Sequence, residues 1–190
     1  MLSVEQKNNN EIKFMELLTK LNIDLTEFSK FLDRIDYFNA PASTQYSGAY
    51  PGGLCEHALI VAHELGVLCN AYYPGIYTEE DVIKVALLKD IYKATMYELY
   101  MKNVKDDTTG QWSSIPAYKT REANTREVFG NAGLSSYMQI KKYVELNNEQ
   151  IEAIIYSSPQ SFEPDIHEVM RAYPLVTLTR MAEIAATYIN

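Results

Sequence analysis

Residues 54 to 73 read LCEHALIVAHELGVLCNAYY, an apolar helical run opened by Gly52 and Gly53 and stopped by Pro74 and Gly75. The same period recurs through most of the chain. EIKFMELLTKL sets Ile12, Met15, Leu18 and Leu21 at helical spacing, and TEFSKFLDRIDYF repeats it through Phe28, Phe31, Leu32 and Ile35 behind Thr26 as the expected N-cap. Thr78, followed three residues later by Asp81, reads as the capped start of VIKVALLKDIYKATMYELYM. Further helices are expected at about 133 to 144, 148 to 157 and 174 to 189. Pro174 opens the last, with Leu175, Leu178, Ala182, Ala185 and Ile189 on one stripe. Two stretches break the pattern. NAPASTQYSGAYPGG is a loop, and YMKNVKDDTTGQWSSIPAY, residues 100 to 118, has the turn chemistry of a β-hairpin. Residues 1 to 10, with the run Asn8 to Asn10, read as a loose end. The chain is therefore expected to be one all-α domain, residues 1 to 190, with a small hairpin insertion.

The 190 residues, 47% hydrophobic, suffice for one sizeable core. With 25 acidic against 17 basic side chains, the surface repels phosphate backbones, which argues against a general nucleic-acid binder. No stretch approaches the roughly 20 apolar residues needed to cross a bilayer, and MLSVEQKNNNEIK lacks the apolar centre of a signal peptide. A cytoplasmic protein without membrane partners is expected. Cys55 and Cys69 would lie about 21 Å apart on one helix, too far for a disulfide, and read as small core residues.

A second run, ALLKDIYKA at residues 86 to 94, puts Lys89 beside Asp90 in the centre of an apolar helix. YPGGLCEHALIVAHEL followed by this run resembles the HD-domain phosphohydrolases, most closely the small single-domain proteins of bacteria and their phages. The similarity extends over most of the chain. APASTQYSGAYPGGLCEH resembles the family's loop into the first metal-binding helix, MKNVKDDTTGQW its hairpin, FGNAGLSSYM its glycine-rich segment and YPLVTLTRMAEIAATYI its last helix. The resemblance implies an HD-like helical bundle in which His57 takes the place of the first histidine and Asp90 that of the aspartate in the His-Asp pair. Lys89 stands where a metal-ligating histidine belongs, and Glu183 where Ala-Asp is usual. Asn131, Ser157 and Ser47 stand where related proteins carry further histidines.

Lys89 changes the chemistry. A divalent ion about 4 Å from an ammonium is repelled by roughly 8 kcal/mol at an effective dielectric near 20. Neutralising the lysine at pH 7 instead costs about 4.6 kcal/mol. Either route weakens metal binding by about three orders of magnitude or more, so no cofactor is expected. Were an ion held, His57, Asp90 and Glu183 would hold it. The lysine has two readings: an ammonium in the cation's place, paired with Asp90 or Glu183, or a side chain that snorkels to a solvated helix edge. His57 without its partners reads as a hydrogen-bonded buried histidine. His63, about 240° further round the helix, reads as a surface or interface residue. His167 sits in a polar loop, EPDIHEV, and Glu183 can also pair with Arg180. Lys89 and Lys93, with Gly130 and Gly133 in GNAGLSS, form a candidate anion site.

These readings lead to a non-catalytic protein that acts through protein contacts, as a homo-oligomer or as an accessory part of a phage-encoded assembly, in which case it would be virion-associated. Two alternatives remain: a metal-independent nucleotide sensor or sponge, and a residual phosphohydrolase in which one divalent ion activates water.

Overall fold

The computed structural model describes residues 2–122, 125, 129–158 and 165–189. They form a helical domain with one two-stranded antiparallel sheet. Helix α1 spans Val4–Leu18 and α2 spans Leu25–Arg34; a short 3-10 turn follows at Tyr37–Asn39. Helix α3, Gly53–Tyr72, is the longest; α4, Glu79–Leu88, and the one-turn α5, Lys93–Met96, follow it. Strands β1, Tyr97–Lys105, and β2, Trp112–Thr120, make the hairpin. The chain closes with α6, Ala132–Ile140, α7, Asn148–Ile155, α8, Ile166–Ala172, and α9, Pro174–Tyr188.

Helix α3 is the hub, packing on α9, α4 and α1. Its buried positions Leu54, Ala58, Val61, Leu65 and Cys69 recur every three to four residues, the spacing that puts one stripe against a core. The loop before it folds back through bonds from the Leu54 amide to the Ala40 carbonyl and from the Ala42 amide to the Gly48 carbonyl, at 3.0 and 2.9 Å. A Cβ at Gly53 would lie 2.2 Å from the Gly48 carbonyl oxygen, so only glycine permits this return. Both cysteines are free and buried in the core.

Several local expectations need correction. Helix α1 begins at Val4, because Ser3 and Gln6 make a reciprocal capping box; the Asn8–Asn10 run lies inside it rather than in a loose end. Its core face is Phe14 and Leu18, both fully buried, whereas Ile12 is 55% exposed. Asp24, not Thr26, caps α2, accepting from the Thr26 and Glu27 amides. The hairpin runs 97 to 120 rather than 100 to 118. Helix α8 replaces the expected polar loop and carries His167; residues 163 and 164 of that stretch lie outside the described residues. The buried stripe of α9 ends at Ala186, and Ile189 is exposed.

Candidate functional site

Four elements bring charge to one buried point. His57 sits on the second turn of α3, Glu183 on α9, Lys89 at the C-terminal cap of α4, and Asp90 and Lys93 at the turn into α5. Lys89 is 1% exposed, and its ammonium donates to Asp90 Oδ2 at 2.5 Å and also to Glu183 Oε2. Lys93 Nζ reaches the same Asp90 oxygen at 3.1 Å. His57 Nε2 lies 3.0 and 3.1 Å from the two Glu183 oxygens and 3.9 Å from Asp90 Oδ2. The lysine therefore points inward, away from any solvated helix edge.

The ionisation of the cluster is self-consistent. Burial alone would push the Lys89 ammonium toward neutrality, but Asp90 and Glu183 outweigh it and hold its pKa above the ordinary value. Lys93 is raised against the same desolvation, again by Asp90 and Glu183. Burial opposes ionisation of Asp90, yet Lys89 and then Lys93 hold its carboxyl below the usual range. Glu183 is lowered as well: desolvation is overcome by Lys89 and by the hydrogen bond from His57. A carboxylate held ionised has no proton to give, so His57 Nε2 is assigned the hydrogen and donates it. Two ammoniums face two carboxylates, and the charges cancel within the cluster.

His57, Asp90 and Glu183 offer ligand atoms within 4.8 Å of one another, the spacing of a metal site. The donor set does not fit a divalent ion. Lys89 is hydrogen-bonded to both carboxylates, so an ion placed among these donors would meet a buried ammonium at contact distance. What the arrangement does chemically is close a buried network in which each charge has an opposite partner.

The other residues singled out by sequence divide between helix caps, close helix packing and the spaces that border the cluster. Asn131 caps α6, accepting from the Leu134 amide at 2.8 Å. A Cβ at Gly133 would lie 2.2 Å from the Ile154 carbonyl oxygen, so this glycine serves the approach of α6 to α7 rather than an anion, and Gly130 adopts a positive φ before the cap. Ser157 is buried and lines a cavity of about 220 Å³ beside Lys89, Lys93 and Glu183. Ser47 is exposed, on the wall of an adjoining space of about 530 Å³ that also reaches His57. Arg180 donates to the Tyr156 and Ser158 carbonyls, at 3.0 and 2.5 Å, and so holds the chain after α7. His63 is exposed.

Sequence reasoning missed the Asp90–Lys93 pair and the aromatic wall made by Tyr92 and Tyr97. The i, i+3 spacing of Asp90 and Lys93 was the available signal. Among the described residues no helix is long and apolar enough to cross a membrane. Comparisons of the chain with protein-family models, with curated proteins and with solved structures give no match.

Proposed function

We propose that this chain is an HD-phosphohydrolase-like domain whose metal centre has been replaced by an internal ion-pair network, and that it acts through protein contacts rather than catalysis. The observation that carries the reading is the Lys89 ammonium, bonded to Asp90 and Glu183 where the resemblance expects a cation. Such a network keeps the fold's four-way junction closed without an ion, and leaves the domain free for a structural or accessory role, alone as a homo-oligomer or within a larger assembly.

Elemental analysis of protein purified without chelators, followed by phosphomonoesterase and phosphodiesterase assays with added Mn or Mg, tests it. The expected result is metal far below one equivalent and no turnover above the buffer rate. Stoichiometric metal with matching hydrolysis would overturn it. A nucleotide sensor is less well supported, because Lys89 and Lys93 are both spent on carboxylates and leave no surplus positive charge for phosphate.

A further inference from the structure

The hairpin supplies an interaction surface. Strands β1 and β2 pair over nine positions, from Tyr97 opposite Thr120 to Lys105 opposite Trp112, and neither packs more than marginally on a helix. A two-stranded ribbon is marginal in water. Here three of its large apolar side chains are also uncovered on one face, Leu99 at 62% exposed, Met101 at 58% and Trp112 at 70%, with Ile115 exposed on the other.

The two outer edges differ. The Arg121 amide bonds to the Met96 carbonyl and the Asp106 amide to the Gln111 carbonyl, so these flanking pairs are hydrogen-bonded pairs in the same register. Alternation then makes Leu99, Met101, Asn103 and Lys105 non-hydrogen-bonded positions whose amides and carbonyls face away from β2. Among the described residues these groups have no partner. On β2 the outward positions include Pro116, which has no amide to offer, so that edge is blocked. Only β1 can accept another strand.

We infer that β1 pairs antiparallel with β1 of a second copy of this chain, across a two-fold axis at Tyr100, giving a four-stranded sheet. In this register Leu99 faces Met101 of the second copy through a hydrogen-bonded pair, which is the pairing the outward amides allow. Glu98 falls opposite Lys102 of the second copy, twice by symmetry, at the closer non-hydrogen-bonded spacing. Moving the axis to Lys102 instead sets like charges opposite each other, Lys102 on Lys102 and Glu98 on Asp106. Charge thus favours the axis at Tyr100 over that at Lys102. The surface names the partner for the contact-based role proposed above and rests on that reading, although it uses no residue of the buried cluster.

Sedimentation velocity of the full chain across about 1 to 300 µM tests the pairing, because a short strand pair lies at the small end of interfaces and its dimer is concentration-dependent. A monomer–dimer equilibrium is expected. Lys102→Glu and Glu98→Lys should each weaken self-association at least about tenfold, while an equimolar mixture of the two should restore it, since the mixed pair carries Glu opposite Lys at both sites. Leu99→Pro, which removes an outward amide and spares the β1–β2 ladder, should leave a monomer; circular dichroism checks that each variant folds. A monomer at every concentration overturns the inference, as does a dimer indifferent to these substitutions or a mixture that fails to reassociate. Metal content and hydrolysis report on the buried cluster separately, so either reading can fail alone.

Discussion

Lys89 on α4 and Glu183 on α9 lie 94 positions apart in the sequence and meet in a buried ion pair, which His57 and Asp90 extend on either side. The pair joins the hub helix, its two neighbours and the turn into the hairpin at one point. It is a junction held by charge inside an apolar core.

Removing the lysine leaves Asp90 with Lys93 alone and Glu183 with His57 alone, both in low dielectric. Truncating one member of a buried pair costs about 3–5 kcal/mol, chiefly because the survivor keeps an uncompensated charge. Lys89→Met should therefore lower the unfolding free energy by about that amount in urea titration. Lys89→Met combined with Glu183→Gln should recover part of the loss, since the double change removes one charge of each sign, a non-additivity a double-mutant cycle would read directly.

Lys89→His makes the complementary change. It withdraws the fixed positive charge and supplies an imidazole beside Asp90, within the group that already includes His57 and Glu183. The variant should start less stable than the parent and gain stability when Mn or Zn is added, by about 2.7 kcal/mol at a metal concentration one hundred times its dissociation constant. The parent should show no such gain in a thermal melt. An equal shift in both proteins would mean that the ammonium does not block the site.

It was the resemblance that set Lys89, Asp90 and Glu183 at one place; the letters alone give a Lys-Asp pair within an apolar run and a glutamate on the last helix, and leave open whether the lysine points inward. Other features depended on choices between equivalent local solutions. In α1 the expected stripe of Ile12, Met15, Leu18 and Leu21 is right at Leu18 and Leu21, both buried, but Phe14 with Leu18 is an equally valid helical spacing, and packing buries Phe14 and leaves Ile12 exposed. Asp24 and Thr26 are both good N-caps two residues apart. Helix α8 has seven residues and one buried side chain, Ile166, too little periodicity to register. The role of Gly133 was invisible for a related reason, since nothing local announces that another helix's carbonyl will lie against it.

Tyr37 is 1% exposed, packs its ring on Phe14 and Phe38, and among the described residues its hydroxyl has no hydrogen-bond partner. Burial pushes that hydroxyl's pKa well up, so it stays neutral. A buried hydroxyl without a partner opposes folding, and Tyr37→Phe keeps the ring while deleting it. Chemical denaturation should show the variant more stable by about 1 kcal/mol. A loss of similar size would reveal a bound water serving the hydroxyl.

The cluster also fixes how stability should depend on pH. Asp90 and Glu183 titrate lower in the folded chain than their ordinary values of 3.8 and 4.5, so in acid the unfolded chain binds more protons. Their contribution is whole above about pH 5 and is lost as the pH falls through the depressed folded values. Lys89 and Lys93 titrate above 10.5 when folded, so their contribution is whole below that pH and is lost as the pH rises through the folded values. Between these limits the two carboxylates and the two ammoniums add a constant amount. Urea titrations at intervals from about pH 3 to 7 should show unfolding free energy rising with pH in the acid limb and then levelling. Glu183→Gln cannot titrate there, so the variant should have a shallower acid limb as well as a lower plateau. An acid limb of unchanged slope would mean that Glu183 is not ionised against Lys89 in the folded chain.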